Sequence, residues 1–171
     1  MRMDEYLERW AEKYKPISHI PNAGSKEKAF YRIDSITSLK PFVENLANAK
    51  SPALAYVTQI DDTIGGQSNK FSFRPHRVFI LVKREGKNLQ NGFSEELADT
   101  DAKLFGAEIG YDLKAYILDD KKTNKDLAGI TFEHSSIFTL PTMFNGWWPT
   151  EFVFNEQIGH NLCVNPEKYN D

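Results

Sequence analysis

Two runs of strand-forming residues constrain this chain most strongly, because a short polar segment separates them and the pair reads as the arms of one β-hairpin. The runs are Ala53–Ile60 and Lys70–Arg84, both rich in β-branched and aromatic residues. The stretch Val78–Val82 is almost unbroken in its apolar character, which predicts a strand buried on both faces. Pro75 predicts a bend, a bulge or a sheet edge in the same strand.

The segment that joins the two runs is Asp61–Asn69, which contains a Gly-Gly pair among polar residues. This composition suits a flexible hairpin tip better than a tight two-residue turn. The sequence therefore predicts a long hairpin with a loose end.

Three stretches have the apolar periodicity of helices. Met3–Tyr14 reads as a short amphipathic helix, and Ser38 is expected to be the N-cap of a second helix that runs to Ala49. A long helix is predicted from Ser94 to Leu118.

Two glycines lie four residues apart inside this long helix, Gly106 and Gly110. Each costs about 1 kcal/mol relative to alanine in a helix, so a compensating packing role is expected. The role we favour is a tight crossing of the helix over its own sheet, and the alternative is a contact between subunits.

The last third of the chain returns to strands, predicted at Gly129–Phe138, Trp148–Phe154 and Asn161–Val164. The order of helices, paired strands, long helix and closing strands predicts an α+β fold with a mostly antiparallel sheet. We expect a single domain over residues 1–171, in which 1–37 form an N-terminal helix and loop extension, 38–164 the core, and 165–171 a polar tail.

Charge, hydropathy and cysteine content give no reason to expect a nucleic-acid partner, a membrane partner, a disulfide or a metal site. The chain has 171 residues, with 21 Lys and Arg against 24 Asp and Glu, so a net charge of -3 gives no reason to expect nucleic acid. No apolar run is long enough for a membrane span or a signal core, so we expect a non-exported chain without a membrane partner. Cys163 has no partner for a disulfide, and four scattered histidines lack metal-ligand spacing.

The residues that could carry chemistry are poorly arranged for it. Cys163 and His160 would point to opposite faces of an extended chain, and the pairs Asp61-Asp62 and Asp119-Asp120 lie where charges are usually solvated. We expect a protein that is not an enzyme, with no catalytic residue, no cofactor and no metal. The open alternative is a small cytoplasmic enzyme or ligand-binding domain of unknown substrate, with a site assembled from distant residues: His134, His160, Glu133 and Trp147.

Two aromatic stretches stand out. The first is Phe71–Arg77, where phenylalanines alternate with positive groups. We expect phenylalanine on one face of this strand and arginine on the other. The alternative is a strand on which the bases of single-stranded nucleic acid stack.

The second is Phe144–Pro149, a turn crowded with aromatic residues. Trp147 and Trp148 are expected either to fill a corner of the core or to anchor a subunit interface, and one could point inward while the other points outward.

The hairpin Ala53–Arg84 with its loose tip, the helix Ser94–Leu118 and the closing strands Ile130–Phe154 together resemble the tail-terminator and tail-completion proteins of the bacteriophage head-tail neck. The resemblance is one of organisation and spans most of residues 38–164; the N-terminal 37 residues and the pair Trp147-Trp148 have no counterpart.

This resemblance implies a structural virion subunit, made in the bacterial host cytoplasm, that assembles with itself into a ring, commonly a hexamer. The ring would lie between the tail tube and the head connector, so other neck or tail proteins would be its partners. The residues expected at such interfaces are Asp61, Asp62, Ile64, Gly65, Gly66, Gln67, Phe71, Phe73, Arg74, Phe144, Trp147 and Trp148.

Overall fold

The fold is described from a computed structural model, which covers residues 2–24, 26–46, 49–58, 63–65, 71–84 and 95–159. These residues form three α-helices, six β-strands and two short 3₁₀ turns. The helices are α1 (Met3–Lys13), α2 (Leu39–Glu44) and α3 (Glu95–Asp120). The strands are β1 (Phe30–Ile33), β2 (Ala53–Val57), β3 (Thr63–Gly65), β4 (Phe71–Lys83), β5 (Ile130–Thr139) and β6 (Trp147–Gly159).

The strands form one sheet in the order β1-β2-β4-β6-β5, and β3 pairs with the first residues of β4. Every pairing is antiparallel except that of β1 with β2. The centre of the sheet is the long β4–β6 pair, whose register runs from Phe71 opposite Gly159 to Lys83 opposite Trp147. The α+β class, the mostly antiparallel sheet and the long hairpin are therefore confirmed.

The predicted hairpin differs from the observed one in two respects. Its arms, β2 and β4, are interior strands, because β1 covers the outer edge of β2 and β6 covers that of β4. The described part of the tip is itself a strand, β3, whose Ile64 lies opposite Ser72. Pro75 lies in a stretch of β4 between the residues that pair with β2 and those that pair with β3, where the missing N–H of proline costs least.

The long helix crosses tightly over its own sheet, as expected from its glycines. A β-carbon at Gly106 would lie 2.6 Å from Oγ1 of Thr150 in β6, and one at Gly110 would lie 3.0 Å from Cγ2 of Ile137 in β5. At position 106 only glycine allows the helix backbone to approach this closely, because the contact there is with a fully buried threonine. On the apolar face of the helix, Ile109, Leu113 and Ile117 are fully buried.

Helix α1 lies beside α3 on the same face of the sheet. The hydroxyl of Tyr14, just after α1, donates a hydrogen bond to Oδ2 of Asp112 in α3 (2.6 Å), and Tyr6 packs its ring on Tyr116. Arg32 of β1 binds α1 on the side away from α3. Its guanidinium donates hydrogen bonds to Asp4 at 2.8 Å and to Glu8 at 2.7 Å. Residues of the N-terminal 37, including Leu7 and Phe30, thus join the same apolar core as the rest of the chain.

The opposite face of the sheet is covered by α2, a shorter helix than the sequence predicts. The ring of Phe42 meets that of Tyr31 in β1 edge-on, with centroids 5.1 Å apart. Ser38 occupies the N-cap position of α2, as predicted, but it ends a 3₁₀ turn, has helical backbone angles and makes no side-chain capping hydrogen bond. The hydroxyls of Ser35, Thr37 and Ser38 bond to one another instead. In the described part of the chain, no helix is long and apolar enough to cross a bilayer.

Candidate functional site

The residues expected at interfaces fall into three groups. Asp61, Asp62, Gly66 and Gln67 lie outside the described residues, and Ile64, Gly65 and Phe71 are described only through the backbone pairing of β3 with β4. Phe73, Arg74 and Phe144 are half-buried. Trp147 and Trp148 are buried within the subunit.

The aromatic turn folds inward. Asn145 and Gly146 both have positive φ angles, 48° and 81°, and join Phe144 to Trp147 through a pair of 2.9 Å backbone hydrogen bonds. This is the Asn-Gly turn that suits a two-residue hairpin. It directs Trp147 and Trp148 to opposite faces of β6.

Both tryptophans are buried because both faces of the sheet are covered at this end. Nε1 of Trp148 donates to Oδ1 of Asp99 in α3 (2.9 Å), and Nζ of Lys103 lies 3.9 Å from the centroid of the ring. On the other face, Asn145 reaches the backbone carbonyl of Glu44 at the end of α2. The structure therefore favours the core role for this pair, and neither ring is displayed to a neighbour.

The aromatic and basic residues of β4 do not divide between faces as expected. The alternation of a strand puts Arg77 on the same face as Phe73, and Arg74 and His76 on the other face. Arg77 is held by Glu151 at 2.7 Å, and His76 is buried. The expectation of arginine opposite phenylalanine thus holds for Arg74 and is wrong for Arg77.

The structure brings together three residues that the sequence did not connect. The hydroxyl of Tyr56 lies 2.8 Å from Nδ1 of His76, and Nε2 of the same ring lies 3.2 Å from Oε2 of Glu156. An ionised carboxylate can only accept, so Nε2 of His76 donates a hydrogen bond to Glu156, and the Tyr56 hydroxyl is the partner of Nδ1. The register explains the meeting, because Arg74 pairs with Glu156 and Tyr56 with Val78, each two residues from His76.

A cavity of about 180 Å³ adjoins this Tyr56–His76–Glu156 cluster. Besides the cluster, its walls include Arg2, Asp4, Arg74 and Asp126. The hydrogen bond from His76, opposed by burial and assisted by Arg74, holds the pKa of Glu156 below its ordinary range. Burial, together with the charges of Asp4 and Glu156, raises the pKa of Tyr56 to about 12.

The polar groups of the cluster already form hydrogen bonds with one another. Burial alone would raise the pKa of Asp4; the hydrogen bonds and charges of Arg32 and Arg2 outweigh it and lower that pKa. Arg74 and Asp126 also have partners within the chain. A network with all its members paired stabilises a unique arrangement of the core. Among the described residues no group of three or more His, Cys, Asp or Glu is placed to hold a metal ion.

The alternative site suggested by the sequence is not assembled in the described part of the chain. Glu133 is exposed on β5, and Trp147 is buried at the α2 end of the sheet. His160 and the side chain of His134 lie outside the described residues.

A surface that the sequence analysis missed lies on the outer side of α3. Leu104, Tyr111 and Leu118 follow one another at intervals of seven residues, so they share one stripe of the helix. Their exposed fractions are 64%, 62% and 46%, and Ala115 between them is exposed as well. We call these four residues the outer stripe. The signal was present in the sequence as a second apolar period directly opposite the buried one.

The terminal strand β5 is poorly suited to pairing with another sheet. Its register on β6 shifts between Thr131 and Ser136, so that the pairing is irregular over residues 132–135, as at a β-bulge. A bulge in an edge strand is a common protection against edge-to-edge association. The outer stripe is therefore a better candidate than the β5 edge for contacts with another protein.

The chain matches no model of a known protein family, and no curated protein matches it.

Proposed function

We propose that this protein is a non-enzymatic structural subunit that assembles with itself, of the kind that forms a ring between tail tube and head connector in the neck of a bacteriophage particle. The virion setting comes from the resemblance in organisation. The self-association is supported by the outer stripe of α3, which is the observation that carries the proposal.

The outer stripe is large for a residue set with no role in the monomer. From Leu104 to Leu118 it extends about 21 Å along the helix at 1.5 Å per residue. Its three large side chains are 46–64% exposed, whereas α3 contributes to the core with the opposite face. A row of large exposed apolar side chains on one helix face is typical of contacts between proteins.

The test is to place a charge in the stripe and measure assembly. Leu104→Glu and Leu118→Glu should weaken self-association by about tenfold or more, because a carboxylate would be desolvated in the contact. Ile36→Glu is the matched control, since Ile36 is 46% exposed, as is Leu118, but lies on the α2 side of the sheet. Light scattering after size exclusion gives the masses, and circular dichroism verifies that each variant is folded. Variants of the stripe that assemble like the Ile36→Glu control would contradict the proposal.

A second candidate, a small-ligand binding domain, is favoured by the cavity beside Tyr56, His76 and Glu156. It ranks second because the polar groups there already pair with one another. A thermal-shift screen of small polar compounds tests it: a ligand of this cavity should raise the melting temperature of the wild type and have a much smaller effect on Tyr56→Phe. If no compound shifts the wild type, or if the shift survives in Tyr56→Phe, this candidate fails.

A further inference from the structure

The outer side of α3 is acidic as well as apolar. Residues 95–120 contain eight Asp and Glu against two Lys, a formal charge of -6, in a chain whose total is -3. The exposed charged side chains described on this helix are all carboxylates: Asp101, Glu108, Asp112 and Asp119. The two lysines turn toward the sheet, where Lys103 lies over Trp148 and Lys114 over Phe132.

This charge decides what can dock on the outer stripe. Two copies meeting through the same face of α3 would bring two acidic surfaces together, and like charges at an interface cost several kcal/mol. A face-to-face dimer through α3 is therefore disfavoured. The surface that fits is one that combines apolar contact with positive charge.

The chain itself displays such a surface in the segment from the end of α1 to the start of β1. Residues 13–28, which we call the basic loop, contain four lysines and one glutamate. Ile20 stands among them with half of its surface exposed. Two hydrogen bonds fix described residues of the loop. The backbone N–H of Lys28 donates to the carbonyl of Gly24 at 3.0 Å, and Nζ of Lys50 donates to the carbonyl of Ser18 at 2.8 Å.

The two surfaces adjoin at one point in the subunit, where the hydroxyl of Tyr14, at the start of the basic loop, donates to Oδ2 of Asp112 on α3. From there they diverge. The basic loop leads into β1, the terminal strand on one side of the sheet, whereas α3 packs on β4, β6 and β5 in the other half. A contact between one surface of a copy and the other surface of the next copy is heterologous. Repeated heterologous contacts close into a ring when the rotation permits.

We propose that the acidic outer stripe of one copy receives the basic loop of the next copy, with Ile20 against the leucines and tyrosine and the lysines against Asp101 and Glu108. This inference rests on the proposed self-association and specifies the contact that produces it. The contact is partly electrostatic, so assembly weakens as salt screens the charges, over a Debye length that falls from about 10 Å at 0.1 M to about 3 Å at 1 M.

A charge-swap experiment tests this pairing. One variant carries Asp101→Lys and Glu108→Lys on α3, and another carries Lys15→Glu and Lys26→Glu on the basic loop; all four side chains are exposed. Each double variant should lose association by about tenfold or more, because like charges then face each other. The chain that carries all four substitutions restores the opposite charges and should recover most of the wild-type association. Ile36→Glu again serves as control.

The outcomes separate this inference from the proposed function. Restored association in the fourfold variant, with loss in each double variant, supports the pairing. A wild type that assembles and is unaffected by Lys15→Glu with Lys26→Glu overturns the pairing and leaves self-association standing. A wild type that stays monomeric at every concentration overturns both.

Discussion

The packing of α3 on the sheet makes the substitution Gly106→Ala an informative test of the fold. Alanine is favoured over glycine in a helix by about 1 kcal/mol, so a helix viewed in isolation would be stabilised. In the protein, the new methyl would lie 2.6 Å from Oγ1 of Thr150 and 3.3 Å from its Cβ. Thr150 is fully buried and its hydroxyl is bonded to that of Thr139 at 2.9 Å, so it has little room to move.

These contacts set the expected magnitude. Overpacking of a close-packed core costs about 1–3 kcal/mol. Loss of the hydroxyl pair adds about 1 kcal/mol, which the gain in helix propensity offsets. Gly106→Ala should therefore lower the free energy of unfolding by about 1–3 kcal/mol. Gly110→Ala should be close to neutral, because its methyl meets only the apolar ends of Ile137 and Ile80, at 3.0 and 3.3 Å.

Denaturant unfolding of four proteins measures the effect as a double-mutant cycle: the wild type, Gly106→Ala, Thr150→Ala and the pair together. In the Thr150→Ala background the clashing oxygen is gone, so Gly106→Ala should become neutral or stabilising by up to about 1 kcal/mol, which is a coupling of about 2 kcal/mol. Equal destabilisation by Gly106→Ala in both backgrounds, or stabilisation of the wild type, would refute the packing argument.

Three further predictions concern other parts of the molecule. Trp148→Ala should lower the free energy of unfolding by about 3–5 kcal/mol, measured by denaturant, because it empties a buried site; a folded variant of unchanged stability would contradict the core role of Trp148. Burial, only partly opposed by Glu8 and Glu12, lowers the pKa of His19 from its ordinary 6.5, so the unfolded chain takes up a proton before the folded protein does and stability should decline as the pH falls below about 6.5. His19→Gln should remove that part of the slope in unfolding experiments between pH 7 and pH 5, and an unchanged slope would count against it. Arg32→Gln should destabilise the protein by about 1–3 kcal/mol, because it removes a charged hydrogen bond from the buried carboxylate of Asp4, and Lys40→Gln, at an exposed pair, should have almost no effect.

Local patterns predicted the elements whose signal is long and periodic. The helix expected at Ser94–Leu118 is observed as α3, because its apolar positions recur along many turns and its glycines mark a tight crossing. The turn expected within Phe144–Pro149 is observed at Asn145-Gly146, because positive φ angles at both positions favour these residue types. Shorter signals failed: the second helix ends at Glu44, and β3 has only three residues.

What the sequence could not provide is the pairing of distant strands. Tyr56, His76 and Glu156 are 20 and 80 residues apart and meet only because β4 lies between β2 and β6 in a particular register. The burial of both tryptophans has a similar cause. Strand alternation places Trp147 and Trp148 on opposite faces of the sheet. Both side chains are buried only because α2 covers one of these faces and α3 covers the other.

The measurement that tests the central claim most directly is native mass spectrometry of the full chain across a range of concentrations, at low salt. Self-association through two different surfaces predicts one discrete closed species of several subunits, which gives way to monomers as the sample is diluted or the salt is raised. A strictly monomeric protein at every concentration would contradict the account of this chain as a self-assembling structural subunit.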